Sequence, residues 1–183
     1  MNLLTFKSIA WDERRKGFYS PSHPEYLWDN GIAIRDCVRG CQGRQYDADC
    51  HCGIYTSPNW DALDEYAKYP NSIHVLMEIY GWLEIWPGPE RDLPDAFILR
   101  SWGTKIKAII NTTPEGEVVL PQRWNTALLM AERMKKPIFP WHMTKTLVEI
   151  NWKSIFDISP YKPLTHVEKL LFEARLEAWN DGN

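Results

Sequence analysis

An alternating run from Ser72 to Trp86 leaves this chain little choice of fold class. Ile73, Val75, Met77 and Ile79 take every second position there, between His74, Leu76, Glu78 and Tyr80. A period of two marks a strand that lies in a sheet with at least one buried face. Gly81 interrupts the run. An interior glycine weakens a strand unless the geometry needs it, so this one predicts a bulge or bend. Leu83 and Ile85 continue the face begun by Ile73, provided no extra residue shifts the register. Pro87-Gly88-Pro89 ends the strand. Asp95 to Asn111 is its natural antiparallel partner, carrying Phe97, Leu99, Ile106, Ala108 and Ile110 and broken at Gly103.

Shorter signals surround this pair. Leu3 to Ala10 reads as a strand, Gly17 to Ser20 as a second, and Glu117 to Leu120 as a third. Ser57-Pro58 is a helix start, with Trp60, Leu63 and Ala67 on the apolar side. Arg123 to Lys135 reads as a helix with Trp124, Leu128, Ala131 and Met134 near one face. Leu147 to Ile150 favours strand over helix. The last helix opens on a capping box, Thr165-x-x-Glu168, and its buried stripe is read as Val167, Leu170, Leu171, Ala174 and Ala178. The expectation is an α+β fold: a curled antiparallel sheet of five to seven strands, braced by a loop of four cysteines, with two or three packed helices. Residues 1–120 would form the loop-and-sheet domain and 121–183 a helical extension packed on it.

The bracing loop runs from Cys37 to Cys52. It holds all four cysteines of the 183-residue chain, spaced C-x3-C-x8-C-x-C. The N-terminus lacks the charged start, apolar middle and small-residue cleavage site of a secretory signal, so metal or free thiols are favoured over disulfides. The same absence points to a cytoplasmic protein. Zinc takes four thiolate or imidazole ligands in a tetrahedron, and Cys37, Cys41, Cys50 and Cys52 supply them. An iron–sulfur cluster and plain buried thiols are the alternatives. His51 could replace one cysteine. Four thiolates leave no open position for water or substrate, which makes a structural ion the expected one.

Several of these residues also carry a resemblance. Trp28-x-x-Gly31, then Cys37, then Cys50-x-Cys52-Gly53-Ile54-Tyr55, then Gly81-Trp82-Leu83 in a strand, resembles uncharacterised small proteins of actinobacteria and their phages, with the signature W-x-x-G, Cys, His or Cys, C-x-C-G-I-Y. The similarity covers about the first 110 residues. This chain departs from the pattern with Cys41 in place of His, Thr56 in place of Ala, and a long hairpin around Pro87 to Asp95. The Cys-for-His exchange keeps a metal ligand. The resemblance implies a phage or accessory-gene setting and carries no activity with it.

Beyond the cysteines, ten tryptophans are the most unusual feature. Trp82 and Trp86 share a face of the predicted strand, with Trp102 on the facing one. Such a group stacks a base, cages a cation or packs a core. His74, Glu78 and Tyr80 alternate along one face, with Glu84 in phase, and would line either a polar cleft or a solvated sheet. Arg100, Lys105 and Lys107 on one strand could meet phosphate. A net charge of −3 speaks against a strongly electrostatic nucleic-acid binder. No run of eighteen apolar residues exists, so no membrane span is expected. No phosphate-binding glycine motif, zinc-protease motif or nucleophile elbow is present, and no residue is assigned as catalytic.

Three functional expectations follow. The first is a zinc-stabilised binding or regulatory module for a protein or nucleotide-type partner, using Trp82, Trp86, Trp102, His74 and Glu78. The second is an enzyme acting on nucleic acid or nucleotides in a Trp-lined cleft with His74 and Glu78. The third is a direct nucleic-acid binder.

Overall fold

The computed structural model describes residues 2–20, 23–28, 31–34, 53–59, 72–85, 98–111 and 121–182. The strands are β1 (Leu3–Asp12), β2 (Gly17–Ser20), β3 (His23–Trp28), β4 (Ile32–Ile34), β5 (Ile54–Thr56), β6 (Ser72–Ile85), β7 (Leu99–Ile110) and β8 (Ile138–Phe139). The helices are α1 (Pro121–Met134), α2 (Trp141–Phe156) and α3 (His166–Gly182). The fold is α+β, and the described residues alone form eight strands in one curled sheet, against five to seven expected. The cysteine loop, the helix expected after Ser57-Pro58, the Pro87–Asp95 hairpin and the strand at Glu117–Leu120 lie outside the described residues.

The main order is β3-β2-β1-β6-β7-β4, antiparallel throughout. One edge of β7 belongs to β6. The other is divided along its length: β5 pairs Leu99 to Ser101, β4 pairs Gly103 to Lys105, and β8 pairs Ile109 and Ile110 in parallel. The sheet curls back on itself where Phe6 and Ser57 exchange backbone hydrogen bonds of 2.6 and 3.0 Å. Buried Lys7 reinforces that contact, its Nζ donating to the Tyr55 carbonyl at 2.6 Å. The strands β1, β6, β7 and β5 thus form a nearly closed circuit, which leaves less free edge for another chain to pair with.

Both faces are covered. Ile73, Val75 and Met77 enter one cluster with Ile106, Ile109, Trp28 and, from α1, Ala127, Met130 and Met134. Leu76, Leu83, Leu99, Ala108 and Ile110 enter the other with Trp141, Val148, Trp152 and Phe156 of α2 and Phe172 and Leu176 of α3. Two irregularities redistribute the side chains. Met77 pairs Ile106 and Leu76 pairs Ala108, so Lys107 is an extra residue. That residue lets Ile106 and Ile109 share a face although they are three apart. The second is the expected one at Gly81, which has φ +76. It puts Leu83 on the face of Tyr80, and Ile79, Leu83 and the half-buried Ile85 all lie in the cluster of Leu76.

The helices correct three readings. Leu147 to Ile150 belongs to α2, not to a strand. Trp141, Thr144, Val148, Trp152 and Phe156 recur at three and four residues, a period visible only once the window reaches back to Trp141. In α1, Leu128 is exposed and Ala127 and Met130 are buried beside Met134. In α3 the capping box forms, with Thr165 N–H donating to Glu168 at 2.8 Å and Glu168 N–H to Thr165 Oγ1 at 3.3 Å. The stripe of Val167, Leu170, Leu171, Ala174 and Ala178 is exposed, however. Phe172 and Leu176 face inward, because Phe172 meets Trp152 and Phe156 with ring centroids at 5.8 and 5.0 Å.

Trp152 anchors this layer. It is fully buried and its indole N–H donates to the Leu4 carbonyl at 2.8 Å. Trp152→Ala is expected to cost about 3–5 kcal/mol, read as a lowered urea midpoint. An unchanged midpoint would contradict the packing described.

Candidate functional site: the Gly81 bulge

The bulge gathers unusual residues. Tyr80 pairs Gly103 and Leu83 pairs Ser101, so Gly81 and Trp82 together face Trp102 alone. The Trp102 side chain lies against Gly81, where an added Cβ would come within 3.2 Å of the Trp102 Cβ. Strand alternation from the Glu84–Arg100 pair places Trp82 and Trp102 on the face of that pair. Tyr55 is in register with Arg100 from the other side. One face therefore presents Tyr55, Arg100 and Glu84 in a row across three strands, with the two tryptophans one step along.

Packing separates these two from the other described tryptophans, since Trp124 and Trp179 are also half-buried but pack against the core clusters. Trp11, Trp28, Trp141 and Trp152 are buried members of the core. Trp82 and Trp102 are half-buried and belong to neither core cluster. Trp86 lies outside the described residues. The patch is held firmly from behind. Opposite Ile79 the neighbouring strand β1 ends, and at Leu83 the amide of Asn180 takes over its role. Asn180 accepts from the Leu83 N–H at 2.9 Å and donates to the Leu83 carbonyl at 2.8 Å.

Arg100 is not an exposed phosphate contact. It is 2 % exposed and paired with Glu84. Removing one member of such a buried pair leaves an uncompensated charge. Its aliphatic chain runs beside Gly53, which follows Cys52 directly. A Cβ on Gly53 would lie 2.7 Å from the Arg100 Cγ, and Gly53 has φ +105. Only glycine fits that backbone and that approach. Lys107, the bulged residue, pairs with Glu78 at 2.8 Å. Among the described residues no group of three or more His, Cys, Asp and Glu side chains converges to hold a metal. Cys37, Cys41, Cys50 and Cys52 lie outside them.

Of the row His74, Glu78 and Tyr80, the first is buried and the other two are half-buried. His74 is 6 % exposed, and its Nδ1 shares a hydrogen bond of 2.6 Å with Ser8 Oγ. Burial, helped by the positive charge of Arg123, lowers its pKa to about 3. It is neutral at ordinary pH. Burial pushes the Glu78 carboxyl up, but bonds to Lys107 and Asn2 outweigh that and hold it below its usual value. The Tyr80 ring occupies the space a Cβ on Gly103 would fill. Ser8, Arg123 and Asn180 were missed in the sequence because each reaches its partner across a strand or helix contact that no local pattern announces. Among the described residues no helix is long and apolar enough to cross a membrane.

Two measurements check this geometry. Unfolded His74 takes a proton near pH 6.5 and folded His74 only near 3. Between those values the unfolded state holds the extra proton, so stability falls as pH falls. The slope approaches about 1.4 kcal/mol per pH unit. Denaturation at pH 6.5 and at about 5, above the range where carboxylates titrate, should show this loss, and His74→Gln should flatten it. Gly53→Ala should cost about 1–3 kcal/mol from backbone strain alone, with further loss from displacing Arg100. A neutral result would contradict the close approach.

Comparison with protein families, with curated proteins and with solved structures finds no match for this chain.

Proposed function

We propose that this protein is a binding module whose recognition surface is the patch of Trp82, Trp102, Tyr55 and Glu84 at the Gly81 bulge. The observation that carries it is that Trp82 and Trp102 stand half-buried outside both clusters while four other tryptophans fill the core. Large aromatic groups left partly open on a rigid sheet are what stacking platforms and interface hot spots are made of. The partner is a protein segment or a nucleotide-type ligand. A phage or accessory-gene setting is consistent with the sequence resemblance and with nothing else.

Cys37, Cys41, Cys50 and Cys52 hold a structural zinc ion in this reading. Support comes from the donor set, four thiols in one short loop. The tight seating of Gly53 against Arg100 fits too, since it fixes one end of that loop to the sheet beside the patch. The enzymatic alternative finds less support. His74 is buried on Ser8, and Glu78 is engaged by Lys107 and Asn2. Direct nucleic-acid binding is disfavoured by the net charge and by the pairing of Arg100.

Purified protein is expected to carry about one equivalent of zinc, with Cys52→Ser losing both the metal and much of the stability. Less than about half an equivalent of zinc would contradict the site. For recognition, the indole N–H resonances of Trp82 and Trp102 should shift on titration with a nucleoside triphosphate. Alternatively, a photo-crosslinker at position 82 should give one discrete protein adduct that Trp102→Ala abolishes. Failure of both would contradict the proposed surface.

A further inference from the structure

One end of the molecule concentrates positive charge in a chain that is acidic as a whole. The β1–β2 turn, residues 12–16, and the end of α1, residues 132–136, together hold six basic and three acidic side chains, +3 in a chain of net charge −3. The fold brings the two segments together, with the Arg133 guanidinium over the Trp11 ring at 4.7 Å from its centroid. Glu13 registers the same neighbour. Hydrogen bonds from Lys16 and Trp11 hold its carboxyl below the usual value, and the nearby Arg133 charge adds to them. Within the turn, Asp12 is taken by Arg15 and Glu13 by Lys16. Arg14, Lys135 and Lys136 make no ion pair among the described residues. Arg14, Arg133 and Lys135 are exposed and Lys136 is half-buried.

Backbone conformation shows that two of these charges are kept at a cost. Lys16 closes the turn at φ +54, and Lys135 follows α1 at φ +51. Both angles are left-handed, where an L side chain is strained and glycine is the ordinary choice. Lys135 takes the usual glycine position of a helix-ending motif, for the Lys136 N–H donates to the Ala131 carbonyl at 3.2 Å. Among the described residues only Asp157 shares this conformation without being glycine. The helix dipole does not require Lys135 or Lys136, since Arg133 already supplies the cation of the last turn. Outliers that add nothing to the fold point to a function.

The surface also says what kind of partner it fits. Asp12 accepts from the Arg14 and Arg15 backbone N–H groups at 2.8 and 3.1 Å, which holds the tip of the turn in shape. Protein partners are held by apolar anchors at the centre of an interface. None is exposed here: Trp11 is 9 % exposed beneath Arg133, and the exposed large apolar residues lie in other segments. Tyr19 is half-buried beneath Arg15. The surface therefore lacks the open rings that stack the bases of a single strand. What remains is a set of cations on two ordered supports, the pattern of backbone contact to a duplex.

We propose that the β1–β2 turn and the end of α1 form a site for the phosphate backbone of a nucleic-acid duplex, contacted by Arg14, Arg133, Lys135 and Lys136. The net charge of −3 does not oppose this at close range, because charges more than about 10 Å away are screened at physiological salt. The pairing of Arg100 concerns a different strand. The site is independent of the Gly81 patch. Ala10, beside the turn, pairs with the first residue of β6, and the bulge lies near the other end of that strand.

Fluorescence anisotropy of the full chain with a short mixed-sequence DNA duplex tests it. Binding is expected at low salt, with log K falling against log salt at a slope of about −3, the counterions of about three phosphates. Arg14→Glu with Lys136→Glu should weaken binding about tenfold or more. Lys162→Glu with Lys169→Glu makes the same change of net charge at exposed positions around the start of α3, and should leave binding unchanged. Lys16→Gly with Lys135→Gly should weaken binding while the urea midpoint stays level or rises, since glycine relieves both backbone positions. A duplex that fails to bind at low salt would overturn the proposal. So would equal losses in the two charge-reversal pairs, a glycine pair that binds as well as the wild type, or a poly-glutamate chain that displaces the duplex as readily as unlabelled DNA does.

Discussion

Strand β7 is the member on which the rest depends. Twelve residues long, it gives one whole edge to β6 and divides the other among β5, β4 and β8. Segments far apart in the chain therefore share a single ladder. The Gly31 carbonyl accepts from the Ile106 N–H at 2.8 Å, and the Pro137 carbonyl accepts from the Ile109 N–H at 2.9 Å. Its side chains are split with equal economy. The extra residue at Lys107 lets Ile106 and Ile109 serve the α1 side while Ala108 and Ile110 serve the α2 and α3 side. A strand buried on both faces resists displacement, because any slip of register would expose one set and bury charges from the other.

The second irregularity gives the sheet its candidate site. A regular strand pair would carry its ladder straight through residues 80 to 83. Instead Gly81 and Trp82 crowd opposite Trp102, and Leu83 resumes on the other face. The local loss of pairing is repaired from outside by Asn180 of α3. Asn151 of α2 makes a parallel repair at the start of β1, accepting from the Leu4 N–H at 2.8 Å and donating to the Asn2 carbonyl at 3.0 Å. Helix amides thus stand in for strands where the sheet runs out. The Asn180 bonds hold the backbone one residue beyond Trp82, and a platform ordered in advance costs less entropy to bind than a mobile one.

Much of the sheet was legible in the sequence because its signals are local. Alternation identified β6 and β7, and Gly81 announced the bulge. What the bulge did to Leu83 was not legible, since counting residues cannot say on which strand the extra one falls. The helices were harder. Within α2, Leu147 to Ile150 reads as strand because it is short and β-rich, and the helical period emerges only from Trp141 to Phe156. α3 carries an apolar stripe on each side, and the one with more members is the exposed one. Phe172 and Leu176 win the interior because three aromatic rings, Trp152, Phe156 and Phe172, fit together there. For the site, the aromatic residues were visible and their division was not. His74 looked like a cleft residue because nothing local reveals Ser8 across the strand pair.

Among the described tryptophans, six enter or pack against the core clusters, and Trp82 and Trp102 stand half-buried outside both. Hydroxyl-radical footprinting of the native protein, read residue by residue in the mass spectrometer, measures this directly. Trp82 and Trp102 are expected to oxidise several times faster than Trp28, Trp141 and Trp152, and a bound partner should slow those two alone. Equal protection of Trp82, Trp102 and Trp152 in the free protein would contradict it.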